Sequence, residues 1–481
     1  MNRTPLTFKP EKDQPHSSPL LFPGKVLASD SAKSLFISDT GHNRIVITNL
    51  DGEPTDVIGS GQEGFSDGDY ASASFNRQQG MCLVDGTLYV ADTENHAIRA
   101  VDLAAKTVKT VAGTGKQSQR RGGGGVGRTT GLNSPWDVIL IPDTKSLAVA
   151  MAGPHQIWKY DIDTGKVVVW AGSGREDIID GSPSTAAFAQ PSGLATDGKH
   201  LFVADSEVSG VRSISLATGH RVETVVGMGL FEFADIDGRG PAVRLQHCLG
   251  LAYDAGKLYI ADSYNNKIKI CTPETREVKT FLGTREAGSG DTPPQFDEPG
   301  GLSVADGKLY VADTNNHAIR VVDLESKAVT TLKLGTLTAP TRTVSPPTFR
   351  NATVVDLKQE SVAPGMEIGF NVTLNVPDDF KISPDFPVRY LVTTPGREGV
   401  LSPNLSPGGA EIPKATERLA ITVPLARPAV ENDAFTVTLG VEYVVCKSGS
   451  NGVCVPKSIV FRIPVNITVG GKARLEVAAP K

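Results

Sequence analysis

The sequence is short of the features that mark membrane proteins, nucleic-acid binders and disulfide scaffolds. No apolar run approaches the ~20 residues of a spanning helix, so no membrane insertion is expected. Lys and Arg number 48 against 53 Asp and Glu, a net charge of -5. Bulk electrostatic capture of nucleic acid needs the opposite balance, so no nucleic-acid partner is expected. Only five cysteines are present, Cys82, Cys248, Cys271, Cys446 and Cys454, which is not a disulfide framework. The first three stand singly in apolar text and read as small buried hydrophobes. The N-terminal MNRTPLTFKPEKDQPHSSPLLF lacks the apolar core of about 7–15 residues that a secretory signal carries, so a cytoplasmic location is expected.

Glycine (50) and proline (32) are plentiful, as a fold with many tight turns requires. One phrase recurs six times: SLFISDTGHNRIVI from Ser34, TLYVADTENHAIRAVDL from Thr87, SLAVAMAGPHQIWKYDI from Ser146, HLFVADSEVSGVRSISL from His200, KLYIADSYNNKIKICTP from Lys257 and KLYVADTNNHAIRVVDL from Lys308. It aligns Asp39, Asp92, Met151, Asp205, Asp262 and Asp313 at spacings of 53, 59, 54, 57 and 51 residues. Each unit reads as four short strands; in the sixth they are GGLSVA, LYVAD, AIRVVDL and AVTTLKL. Four strands per unit at this period predict propeller blades. Before each unit stands a large apolar residue, Leu20, Phe75, Leu132, Phe188, Leu245 or Phe296, followed by a Pro-x-Gly or its variant. The apolar residue is expected to plug the seam between blades, and the glycine to allow close approach near the axis.

The Asp-Ser/Thr-x-Asn-His-x-Ile-Arg core resembles the NHL repeat. Longer stretches such as VADTENHAIR, SPWDV, AMAGPHQIW and LYIADSYNNKIK resemble the propellers of the NHL-repeat-containing protein two family and of the plant suppressor-of-quenching family. The resemblance implies a six-bladed NHL β-propeller over residues 20–334, after an extension at 1–19. In those families a thioredoxin-like domain lies upstream; this sequence starts where that domain would end, so a fused redox domain is not expected.

His42, His96, His155 and His317 read as one repeat position in the turn between second and third strands. With Asp39, Asp92, Asp205, Asp262 and Asp313 they are read as structural: Asp caps the turn, Asn takes the left-handed geometry, and His and Arg bond the neighbouring blade. The competing reading, a metal ring of His and Asp, is disfavoured because equivalent residues around a ring lie too far apart for one ion. Blade three departs, with Met151 and Pro154. The long connections, from Gly64, Lys116, Arg175, Phe231 and Arg285, are expected on the opposite end of the disk and are where binding is sought. The basic run Arg120–Arg128 reads as a loop, and Asp67, Asp180 and Asp237 as turn formers. Some six-bladed propellers are calcium-dependent lactonases, and one NHL-type family is a zinc lyase; these set ligands on the inner strands. Here the inner strands GKVLAS, GMCLV, WDVILI, SGLAT, LGLAY and GGLSV carry almost none, with Asp137 nearly alone. No metal and no cofactor are therefore expected.

After a Pro/Thr-rich linker at 335–349, residues 350–481 read as seven or so alternating strands, an immunoglobulin-like β-sandwich. Its chemical feature is Cys446 and Cys454 flanking KSGSNGV, which suits a hairpin turn and places the two thiols within bridging reach. The segment resembles the end of the immunoglobulin-like domain of bacterial thiol–disulfide interchange reductases, although the spacer is longer and Val455 replaces an aromatic. A redox pair and a static staple both remain open. The chain is thus read as an all-β, monomeric, non-enzymatic scaffold for protein partners, working with a thioredoxin-like protein. The alternatives are thiol–disulfide exchange through Cys446 and Cys454 and a metal-dependent propeller hydrolase or lyase.

Overall fold

The computed structural model describes residues 18–119, 122–340, 349, 352–377, 379–383, 388–395, 397, 400–402, 410–412, 416–447 and 454–480. The extension through residue 17, Arg120 and Arg121 of the basic run, most of the linker and residues 448–453, read above as a hairpin turn, lie outside them. Two compact units divide the chain, Met1–Thr341 and Arg342–Lys481.

Among the described residues the first unit holds six antiparallel sheets, each contiguous in sequence. Their second strands are Ser34–Asp39, Thr87–Asp92, Ser146–Met151, His200–Asp205, Lys257–Asp262 and Lys308–Asp313. Every residue of these strands after the first is buried, because both faces are covered by adjacent sheets. Six hydrophobic clusters fill the spaces between consecutive sheets, and the sixth joins the last sheet to the first. The residues read as seam plugs, Leu20, Phe75, Leu132, Phe188, Leu245 and Phe296, are all buried, one in each cluster. The chain enters the second, third and fifth sheets at the outer edge, through the short strands Gly68–Asp69, Gly124–Val126 and Gly238–Arg239. It then crosses to the innermost strand. There the backbones touch: a Cβ on Gly250 would lie 2.7 Å from Gly300 O, and one on Gly301 2.7 Å from Lys25 Cα. Glycine is required at these two positions because a side chain there would meet the neighbouring strand's backbone.

In the second unit a seven-stranded and a three-stranded sheet pack over one core. The long strands Ala434–Lys447 and Cys454–Ile467 pair antiparallel, and their alternate residues Val437, Leu439, Val441, Ile459, Phe461 and Ile463 point inward.

Candidate functional site

The second strand of five sheets ends on a buried aspartate that organises the turn after it. Asp92 Oδ1 accepts the Asn76 N–H at 2.9 Å, while Oδ2 accepts from Asn95 Nδ2 at 2.9 Å and from Arg99 Nη1 at 2.7 Å. Asp313 repeats the pattern with Asp297 N–H, Asn316 and Arg320, and Asp205 with Ala189 N–H and Arg212. Asp262 takes Gln246 N–H and Asn265, and Asp39 takes Leu21 N–H, His42 and Arg44. Burial pushes the carboxyls of Asp92 and Asp313 up to about 6 and those of Asp205 and Asp262 up to about 7, against the pull of their donors.

The histidines do not form one set. His96, His155 and His317 sit in the left-handed region, at φ of 48°, 58° and 52°. Each Nδ1 accepts a backbone N–H from the start of the next sheet: Ser134 at 3.0 Å, Gln190 at 3.2 Å and Phe22 at 2.9 Å. Asn43, Ser209 and Asn266 hold the same place elsewhere and accept from Arg77, His247 and Glu298. Six equivalent staples thus link each sheet to the next, the sixth to the first. His42 lies one residue earlier, where Asn95, Asn265 and Asn316 stand, and its Nδ1 bonds Asp39 Oδ2 at 2.9 Å. The reading of His42 as equivalent to the other three is corrected: the repeat is framed by Asp, and its turn is one residue out of step with the His letters.

A second correction concerns the connections. They share the end that carries these turns: Asn95 Nδ2 donates to Gly64 O at 2.7 Å, Asn265 Nδ2 to Ala234 O and Asn316 Nδ2 to Gly288 O, both at 2.8 Å. Parity dictates this, since four antiparallel strands return the chain to the end where strand two turned into strand three. Nor are the loop aspartates only turn formers. Asp67 Oδ1 lies 3.1 Å from Arg99 Nη2 and Asp180 Oδ1 2.9 Å from Arg212 Nη2; Asp237 pairs with Lys269 and Asp291 with Arg320. The guanidinium groups of Arg99, Arg212 and Arg320 are each held between a loop carboxylate and a strand carboxylate, over the seam ring of Phe75, Phe188 or Phe296. Blade three lacks the aspartate, and Trp158 replaces the arginine there, its Nε1 donating to Gln156 Oε1 at 3.0 Å.

Asp137 is not alone at the axis. Lys25 Nζ lies 3.6 Å from Asp137 Oδ2 and donates to Ser192 O at 2.9 Å and Leu249 O at 2.6 Å. Asp137 accepts from the N–H groups of Leu194 and Val138, both at 2.9 Å. Burial pushes the Lys25 ammonium down and the Asp137 carboxyl up, and their mutual attraction opposes both shifts. The pair lines a cavity of about 210 Å³ together with Leu27, Cys82, Ile139, Thr196, Tyr253 and Val304, among others. Among the described residues no group of three or more His, Cys, Asp or Glu has a metal-holding arrangement.

Cys82, Cys248 and Cys271 are buried thiols, and burial pushes the first to about 11 and the third to about 12. Cys248 does more than fill space. It stands where four other repeats have proline, and its thiol donates to Gly210 O at 3.2 Å, as Gln78 Nε2 donates to Arg44 O at 2.7 Å. Cys446 and Cys454 face each other as ladder partners. Sequence reasoning missed the apolar character of the connection between the fourth and fifth sheets, where Met228, Phe231, Phe233 and Ile236 are exposed. The string MGLFEFADI was its signal.

Residues 296–322 match the NHL repeat family. The chain is similar to NHL repeat-containing protein 2 of Bos taurus, 37% identical with 96% of this chain and 69% of that one covered. It is similar to Protein SUPPRESSOR OF QUENCHING 1, chloroplastic, of Arabidopsis thaliana, 38% identical with 97% and 46% covered. A solved structure of unknown function from Bacteroides thetaiotaomicron aligns at a TM-score of 0.48 and 15% identity, over 65% of this chain and 71% of that one.

Proposed function

The chain belongs to the family of NHL repeat-containing protein 2, and from that premise we propose that it is a non-enzymatic six-bladed β-propeller scaffold for a protein partner, followed by an immunoglobulin-like sandwich that supplies a second contact. One observation carries the reading. The first unit's buried charges are consumed internally, Lys25 by Asp137 and the guanidinium groups by paired carboxylates, while the long connections gather on one end. A rigid support presenting loops on one surface suits recognition. The test is capture of a partner by the full chain, repeated with Phe231→Ser and Phe233→Ser; the reading expects loss of capture with the fold retained.

A second reading is favoured by the facing of Cys446 and Cys454 and by the disulfide-bonded state of Cys446. A thioredoxin-like dithiol would attack this bridge, form a mixed disulfide, and leave as its own disulfide, passing two electrons to the cysteine pair. Trapping tests it: the wild-type chain with its bridge intact, mixed with a reduced thioredoxin variant without its resolving cysteine, should yield a stable mixed disulfide as one cysteine of the pair leaves as thiolate, and the double variant Cys446→Ser with Cys454→Ser should yield none.

A further inference from the structure

The end of the first unit that carries the turns and connections is uneven. Around the fifth sheet it combines exposed apolar surface with solvent-reaching carboxylates. In the connection before that sheet Phe231 is 79% exposed, Met228 56% and Phe233 55%, and Tyr264 in the adjoining turn is 48% exposed. Large apolar side chains left in water in such a group mark a contact surface. The patch is continuous. Ala234 N–H donates to Leu245 O at 3.1 Å, Asn265 Nδ2 donates to Ala234 O, and Tyr264 N–H donates to Gln246 O at 3.2 Å. The Tyr264 ring stacks on His247, with centroids 4.5 Å apart and planes within 12°.

Charge decides what the patch fits. Two of the neighbouring cations are already covered: Arg244 Nε lies 3.7 Å from Glu232, and Lys267 pairs with Asp235. Two carboxylates remain beside the aromatic pair. Glu207 Oε1 is 4.0 Å from His247 Nδ1, and its side chain is partly exposed. Glu298 is exposed and immediately precedes the sixth sheet. Burial, then the charges of Glu298 and Glu207, push the Tyr264 phenol up, so both carboxylates act on that ring. An aromatic face flanked by carboxylates attracts a cation through its quadrupole and through Coulomb attraction together.

We propose that this patch receives a basic, apolar segment of a partner protein, its lysine or arginine head beside Tyr264 within reach of Glu207 and Glu298, and its apolar side chains on Phe231 and Phe233. The proposal rests on the scaffold reading and adds the chemistry of the partner. A nucleic acid is repelled by the same carboxylates, and a purely apolar segment leaves them without a counter-charge.

The test uses the full chain and fluorescence anisotropy with three short labelled peptides, one alternating lysine and leucine, one alternating glutamate and leucine, and one alternating lysine and serine. The lysine–leucine peptide is expected to bind at least roughly tenfold more tightly than the other two. Glu207→Gln with Glu298→Gln, and separately Phe231→Ser with Phe233→Ser, are each expected to weaken it by a similar factor, with melting unchanged because all four side chains reach solvent. Equal binding of the lysine–leucine and glutamate–leucine peptides, or indifference to both variant pairs, overturns the proposal. So does a dimer in sedimentation that Phe231→Ser with Phe233→Ser dissociates, since a second copy is then the occupant. A partner crosslinked elsewhere on the same end would sink this assignment while the scaffold reading survived.

Discussion

Lys25 and Asp137 are 112 positions apart in the chain and belong to different sheets, yet their side chains meet at the axis with 3.6 Å between Nζ and Oδ2. Lys25 lies in the innermost strand of the first sheet and Asp137 in that of the third, and their remaining bonds reach Ser192, Leu194 and Leu249 of the fourth and fifth repeats. The pair lines the cavity at the axis.

Breaking one half of such a pair strands a buried charge. Lys25→Met and Asp137→Leu are each expected to lower unfolding free energy by ~3–5 kcal/mol, whereas the double variant loses clearly less than the sum. Urea unfolding of all four proteins checks this. Strict additivity would mean that the two groups do not interact.

Asp205 makes a pH prediction. Burial raises its folded pKa to about 7, above its ordinary value of 3.8, so between those values the folded state binds the extra proton. Unfolding free energy from this group therefore rises as pH falls from 8 towards 4. Asp205→Asn cannot titrate, so wild type should gain stability relative to it at pH 5 compared with pH 8, measured by thermal melts. An unchanged difference between the two pH values would mean that Arg212 keeps the carboxylate ionised throughout.

The staples predict an asymmetry among substitutions. His96→Asn should be near neutral, because Asn43 and Asn266 make the same bond at the same left-handed position. His96→Ala should cost ~1–3 kcal/mol, since it leaves the Ser134 N–H without its acceptor and places a Cβ at positive φ with no side-chain compensation. Differential scanning calorimetry separates them.

The seam rings predict a size effect. Phe188 lies buried between the third and fourth sheets and under the Arg212 guanidinium, so Phe188→Leu should cost less than Phe188→Ala, for which ~3–5 kcal/mol is expected. Equal costs would place the ring's role in its contact with Arg212 rather than in volume.

Local text carried much of the fold. The LYVAD-type runs are apolar at nearly every position, and that is why they become central strands covered on both faces. The large residue before each Pro-x-Gly is apolar because it fills a seam. What failed depends on relations between repeats. His42 and His96 look alike as letters, but their roles are set by distance from Asp39 and Asp92, and the frame differs by one residue. The side of the connections follows from strand parity, which composition does not record. Asp67 reads as a turn residue because Gly68 follows it; only the packed seam brings Arg99 to it. Lys25 and Asp137 become partners only when the sheets are arranged around an axis.

The central claim is that the end bearing the turns and connections is the recognition surface. A photoreactive benzoylphenylalanine at position 231 or 233 of the full chain, compared with one at Asp85 or Asp143 in the hairpins of the other end, tests it most directly in extract from the source cells. The account predicts a discrete crosslinked partner from the first pair of positions and none from the second. Crosslinking that is equal at both ends, or confined to Asp85 and Asp143, would contradict it.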